Sequence, residues 1–144
     1  MTKEELLKSA RELKEPSKET AKELTEKVDR IALEVIEKLN KRPDLDRLIG
    51  DNNRSMMEDN TRNFTRFMES CFYEYKPEVF VETVLWAVRT YRAHGFLQAY
   101  WPANLDTFIE VIREALSEPA FREVYPFYKW ITVNIPVFFA INEG

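Results

Sequence analysis

Cysteine, histidine and glycine are scarce in this chain of 144 residues, which has one Cys, one His and three Gly. A single Cys cannot form an intramolecular disulfide or a zinc site with several Cys ligands, and a single His excludes His-pair metal sites. The low glycine content argues against a β-sandwich or barrel, whose tight turns depend on that residue. These absences favour a helical domain.

The chain also lacks a strong charge of one sign and a long apolar run. Its 21 basic and 25 acidic side chains give a net charge of −4, so we expect no nucleic-acid partner. No apolar run approaches the roughly 18 residues that span a bilayer, so we expect no membrane contact. The opening residues, MTKEELLKSA, are too charged for a secretory signal. We therefore expect a cytoplasmic protein.

Aromatic residues are distributed unevenly along the chain. All 19 of them lie at or after Phe64, whereas residues 1–47 carry 24 of the 46 charged side chains, twelve of each sign. A charge-balanced segment of this kind is typical of a solvated helix surface and not of a binding tail. The N-terminal third is therefore predicted to be helical with a thin apolar stripe, and the rest of the chain is predicted to supply the bulky core.

Apolar residues recur at helical spacing, and no period-two run indicates a strand. The stripe from Ala21 to Leu39 predicts a long helix that Ser17 caps. We expect further helices over residues 43–50, 51–72, 77–94, 102–116 and 121–141. Pro126 and Pro136 are expected to bend or divide the last of these.

The prediction is therefore an all-α bundle of six to seven helices in one domain, residues 1–144. Residues 3–14 are strong helix formers with only a short apolar stripe, and Pro16 interrupts them. Residues 1–16 are accordingly expected to form an N-terminal helix that is either peripheral or packed on the core.

The single histidine, His94, is expected to end the helix that Pro77 begins, near the turn of Tyr91 and on the core-facing side. A neutral imidazole there can bind a haem iron axially. A charged His at a helix C-terminus is also stabilised by the helix dipole. The residue taken alone does not discriminate between these roles.

Two asparagines fall on apolar helix stripes. Asn60 shares its stripe with Phe64 and Phe67, and Asn134 lies one turn after Trp130. A buried amide needs a hydrogen-bond partner, since leaving it unpaired costs about 1–3 kcal/mol. Each Asn therefore either orients a ligand in a pocket or bonds a carbonyl group or the other Asn.

The stretch from His94 to Ile112, HGFLQAYWPANLDTFIEVI, resembles a globin. In that family the proximal His ends a helix, a short corner follows, and a Pro opens a long helix. That helix has Leu and Phe-Ile on its inner face, as Leu105 and Phe108-Ile109 are placed here. The resemblance covers roughly residues 80–140 and implies pairwise packing of helices around a central pocket.

Two departures from the globin pattern favour a form without haem. Thr90 stands one turn before His94, where globins usually have Leu, and the chain has no second His for the distal side. The sequence is closest in character to the globin-like sensor and regulatory domains of bacterial signalling proteins. That resemblance implies a non-enzymatic sensor domain, which binds a small apolar ligand between its helices and signals through a helical interface.

Nine residues are expected to line the ligand pocket: Asn60, Phe64, Phe67, Trp86, Tyr91, His94, Phe108, Trp130 and Asn134. The last helix is apolar around much of its circumference, so we expect a homodimer or a signalling partner protein to cover part of it. Two alternatives stay open. One is a haem protein that binds a diatomic gas with His94 as the axial ligand, and the other is a ligand-free bundle for protein interaction. Haem is the one cofactor that these alternatives include.

Overall fold

A computed structural model describes residues 2–143 and the side chains of residues 2–141. The described residues form seven α-helices and no strand, so the prediction of an all-α fold is confirmed. The globin-like arrangement of these helices stays a prediction. The helices are α1 (Lys3–Ala10), α2 (Lys18–Asn40), α3 (Leu45–Ile49), α4 (Arg54–Tyr73), α5 (Pro77–Ala93), α6 (Tyr100–Ala115) and α7 (Glu118–Glu143).

Several helix ends lie at residues whose local chemistry stops or starts a helix. Ser17 caps α2 by accepting a hydrogen bond from the backbone N–H of Thr20 at 3.2 Å, and Pro77 is the first residue of α5. Gly50 and Gly95 follow α3 and α5 with φ angles of +88° and +103°, in the left-handed region that favours glycine. The predicted cap at Ser17 is confirmed, and α5 ends at Ala93, one residue before the predicted end at His94.

Helix α7 is continuous through Pro126 and Pro136, so it is not divided at either residue. Both proline rings lie on the solvent-exposed side of the helix. The carbonyl group that loses its donor to Pro126 belongs to exposed Arg122, and water can hydrate it there. The two prolines therefore remove backbone hydrogen bonds only from the solvent-exposed side of α7. The backbone hydrogen bonds on its buried side are kept.

The helices pack against one another around a common core. Helix α2 packs along α4 and α6, α7 packs against α5 and α6, and α1 lies on α5. Leu6 and Ala10 of α1 are fully buried, and the indole N–H of Trp130 donates to Ser9 Oγ at 3.0 Å. Helix α1 is thus packed on the core, which decides between the two placements expected for the N-terminal residues.

The core has an aliphatic part and an aromatic part. Helices α2 and α3 supply buried Leu24, Ile31, Val35, Leu39, Leu45, Leu48 and Ile49. We call the aromatic cluster the set of rings Phe72, Tyr75, Phe80, Phe127 and Tyr128, whose neighbouring centroids lie 5.0 to 6.3 Å apart. Most of these pairs are edge-to-face, an arrangement that the ring quadrupoles favour.

The N-terminal ends of α2 and α7 are each capped by a glutamate side chain from the other helix. Glu123 of α7 accepts hydrogen bonds from the backbone N–H of Ser17 at 2.6 Å and from the hydroxyl groups of Ser17 and Thr20. Glu23 of α2 accepts from the backbone N–H of Ser117 at 2.6 Å and from its hydroxyl group at 2.8 Å. Each carboxylate satisfies donors that a helix start leaves unpaired, so α2 and α7 cap one another.

A second set of hydrogen bonds joins the loop before α4 to the loop after α5. The side-chain amide of Asn53 donates to the carbonyl oxygens of Ile49 at 2.7 Å and His94 at 2.8 Å. The backbone N–H of Leu97 donates to the carbonyl oxygen of Leu48 at 2.8 Å. The C-terminal end of α5 is therefore held against the start of α4.

No described helix has the length and hydropathy of a membrane span.

Candidate functional site

An interhelical cavity of about 90 Å³ lies where α4, α5, α6 and α7 meet. Its lining residues are Asn60, Asn63, Phe64, Phe67, Thr83, Val84, Trp86, Ala87, Val88, Tyr91, Trp101, Asn104, Leu105, Ile131 and Ile135. The walls are mostly apolar, and no side chain in this set is charged at neutral pH. A concave apolar space with a few polar groups is typical of a small-molecule site.

The shape of the cavity follows from side-chain size on α5. Thr83 and Ala87 lie one turn apart on the same face of α5, and both line the cavity with small side chains. Trp86 and Asn63 line the cavity and are themselves exposed, Trp86 by 60%. The cavity therefore opens to solvent between α4 and α5.

The structure brings together five of the nine residues expected to form the pocket: Asn60, Phe64, Phe67, Trp86 and Tyr91. All five belong to α4 or α5. Asn60 is 5% exposed, and its side-chain oxygen lies 3.5 Å from the Tyr100 hydroxyl group. Asn104 donates to the same hydroxyl oxygen at 3.0 Å. Burial raises the pKa of Tyr100 above its usual range, so this phenol stays neutral.

Three other expected residues lie elsewhere in the core. Phe108 is fully buried and meets Phe64 edge-to-face at 5.0 Å, behind the cavity wall. Trp130 is bonded to Ser9 of α1. Asn134 donates its side-chain N–H to the carbonyl oxygen of Trp130 at 2.8 Å, so its amide is satisfied within its own helix. None of the three is among the residues that line the cavity.

His94 is exposed, and the expectation that it faces the core is wrong. It is the C-cap residue of α5, with φ −96° and ψ 4°, and its ring Nδ1 lies 2.8 Å from the carbonyl oxygen of Thr90. These residues do not fit a haem. The imidazole is not among the groups that line the cavity, and the cavity of about 90 Å³ is smaller than one of roughly 150 Å³ that binds benzene, a far smaller molecule than a porphyrin.

Three residues of α6 that line the cavity, Trp101, Asn104 and Leu105, were not expected there. Asn104 is 1% exposed and Trp101 is 7% exposed. The indole Nε1 of Trp101 is a buried donor without a hydrogen-bond partner in the part of the chain that the structure describes. Leaving such a donor unpaired costs about 1–3 kcal/mol. Asn104 could have been predicted by the same pattern as Asn60, because it is an amide on an apolar helix stripe, beside Leu105 and Phe108.

The lone cysteine takes no part in this site. Cys71 is 5% exposed, and burial raises the pKa of its thiol to about 12. A thiol that stays protonated at neutral pH is a poor nucleophile and a poor metal ligand. Cys71 thus acts as a small apolar core residue.

No family model, curated protein or solved structure matches this chain. Within the described residues, no group of three or more His, Cys, Asp or Glu side chains is placed to hold a metal ion. The interhelical cavity and the residues around it are therefore the features that indicate a function.

Proposed function

We propose that the chain is a sensor or regulatory domain that binds a small, mostly apolar molecule in the interhelical cavity. The observation that carries this proposal is a mostly apolar cavity at the meeting point of four helices, with no charged side chain among its lining residues. Burying an unpaired charge in such a space is costly, so the cavity selects neutral guests.

The size of the cavity sets the affinity that we expect. A guest that buries about five methylene groups gains roughly 4 kcal/mol, at about 0.8 kcal/mol for each group. That free energy corresponds to a dissociation constant on the order of 1 mM.

The signal is carried by α5, which forms one wall of the cavity and part of the protein surface. Trp86 lines the cavity and is 60% exposed, and Val79, seven residues earlier on the same face, is 49% exposed. A guest that prefers one position of Trp86 shifts the population toward that position. The outer face of α5 then changes for whatever protein contacts it, either a second copy of the chain or a signalling partner.

The experiment is a titration with 2-methyl-1-pentene, a slim hydrocarbon, followed by two-dimensional amide NMR up to the solubility limit of the probe. We expect shifts at residues that line the cavity, with saturation on the order of 1 mM. The Ala87→Leu variant fills the cavity and is expected to lose these shifts. The matched control, Ala93→Leu, lies on the exposed side of α5 and is expected to keep them.

Two results contradict the proposal. One is a wild-type protein whose cavity resonances do not respond to the probe, and the other is equal binding by Ala87→Leu. Sedimentation velocity with and without the probe then tests the signal. A change in oligomeric state identifies a second copy as the partner, and an unchanged monomer assigns that role to another protein.

A further inference from the structure

Helix α5 carries a second helical pattern on its outer side, apart from the face that it turns to the core. The pattern advances by four, three and four residues through Val79, Thr83, Trp86 and Thr90, which we call the outer seam. Val79 and Trp86 are 49% and 60% exposed, and the two threonines are half-buried. These are the spacings of the a and d positions of a coiled coil, which a second helix covers.

Two side chains of opposite charge lie along one edge of the outer seam. Glu82 and Arg89 directly precede Thr83 and Thr90, so they occupy g positions when the threonines occupy a positions, and both are exposed. Glu82 pairs with Lys3 of α1, and 58% of the Glu82 side chain stays exposed in that pair. Exposed ion pairs are weak, so this carboxylate can also meet a cation from another molecule.

The order of the two charges along α5 is self-complementary in an antiparallel pair. When two copies of α5 face each other in opposite directions, g positions lie beside g positions, and Glu82 of each copy meets Arg89 of the other. A parallel pair instead brings the two acidic ends together and the two basic ends together. The antiparallel register also sets each Trp86 beside Thr83 of the other copy, so a large ring packs against a small side chain.

We propose that α5 is a dimer interface, in which the outer seams of two copies pack antiparallel and Glu82 of each copy pairs with Arg89 of the other. Such an interface has two-fold symmetry and closes with two copies. The assignment rests on the proposed function in one respect, since it names a second copy as the protein that contacts the outer face of α5. Thr83 and Trp86 also line the interhelical cavity, so the second copy contacts two side chains that a guest contacts.

The test reverses each charge of the pair and measures the dissociation constant of the dimer by sedimentation. Glu82→Arg and Arg89→Glu each place like charges together at both ends of the interface, and each is expected to weaken the dimer roughly tenfold or more. An equimolar mixture of the two variants forms opposite charges at both ends again, so it is expected to dimerise with nearly the wild-type constant. The matched control is Glu110→Arg, which breaks the similarly exposed pair with Lys38 and leaves the dimer unchanged.

A second measurement removes the ring at the centre of the outer seam. Trp86→Ala is expected to weaken the dimer by about tenfold or more, as is typical of a Trp at the centre of an interface. Tyr73→Ala, which removes an aromatic side chain that is 51% exposed on α4, is the control and is expected to have no effect.

Three results overturn the assignment. They are a wild-type protein that stays monomeric up to about 1 mM, a dimer that neither charge reversal weakens, and a mixture of the two variants that does not dimerise. Each of them leaves the proposed function standing if the probe still shifts the cavity resonances, and the partner of α5 is then another protein. A wild-type dimer whose cavity does not respond to the probe overturns the proposed function and leaves the interface standing.

Discussion

The aromatic cluster and the interhelical cavity both contain aromatic side chains, but the cluster is tightly packed and the cavity is not filled. Rings from α4, α5 and α7 close the cluster, where Phe127 meets Phe72 at 5.2 Å and Tyr75 at 5.0 Å. The Tyr75 hydroxyl group donates to the Ala10 carbonyl oxygen at 2.5 Å. At the cavity, in contrast, space is left over, and the indole N–H of Trp101 has no hydrogen-bond partner within the described residues.

The difference teaches that aromatic content does not by itself make a pocket. Thr83 and Ala87 put small side chains on the face of α5 that meets the cavity, whereas Phe80, one turn earlier, fills the cluster. The closed region is expected to supply stability, and the open region is where the proposed function places a guest. Three changes test this division of roles.

The largest effect is expected in the aromatic cluster. Phe127 is fully buried among three rings. Phe127→Ala is expected to lower the free energy of unfolding by about 3–5 kcal/mol, because it removes buried apolar area and leaves a cavity. Equilibrium unfolding in urea measures this loss.

The control for that measurement lies on the same helix. Val133 is 63% exposed, and Val133→Ala is expected to change the free energy of unfolding by less than about 0.5 kcal/mol. A loss of less than about 1.5 kcal/mol in Phe127→Ala contradicts the view that the cluster is tightly packed.

An intermediate effect is expected from the glutamates that cap α2 and α7. The backbone N–H of Ser117 lowers the pKa of Glu23, and the Thr20 hydroxyl group together with the Ser17 backbone N–H lowers the pKa of Glu123. Replacing either with Gln is expected to cost about 1 kcal/mol at pH 7, the usual contribution of a helix cap.

The pH dependence has a definite sign. Both carboxyl groups have a folded-state pKa below the value of 4.5 that applies when they are unperturbed. Their stabilisation is therefore present above pH 4.5 and is lost as the pH falls through the folded-state pKa. The Glu23→Gln, Glu123→Gln double variant is expected to lose less stability than the wild type between pH 6 and pH 3, whereas Glu37→Gln, at an exposed position on α2, follows the wild type.

The smallest effect on stability is expected at the cavity itself. Ala87→Leu puts its added carbons into empty space and is expected to change the free energy of unfolding by less than about 1 kcal/mol. The same substitution at Ala21, which is 1% exposed, overpacks a filled core and is expected to cost about 1–3 kcal/mol. Equal losses at the two positions in thermal unfolding refute the contrast between an open and a closed region.

Helix type and many helix ends could be predicted from the sequence, because they depend on local chemistry. Ser17, Pro77 and Gly95 act through their own backbone or side-chain bonds. The start of α6 was missed because Pro102 was expected to open the helix, whereas it begins at Tyr100. Proline is tolerated throughout the first turn, so it does not mark one position. Trp101 was therefore assigned to the corner.

The residues of the site were predictable on α4 and α5 and less so elsewhere. On α7 the face toward the cavity is that of Ile131 and Ile135, and a helix that is apolar on most sides does not reveal which face meets a given neighbour. Trp130 was for this reason assigned to the pocket. His94 was misplaced because its backbone has left the helix, so the helical periodicity no longer gives the direction of its side chain.

The bond from Asn53 to the carbonyl oxygen of His94 decides how α5 can move. In the function proposed above, a guest between α4 and α5 is expected to displace this anchored end of α5 least and the end near Pro77 most. Helix α1 rests on that far end, through Arg11 and Glu78 and through Lys3 and Glu82. On that proposal, the orientation of α1 is expected to change together with the outer face of α5 when a guest is bound.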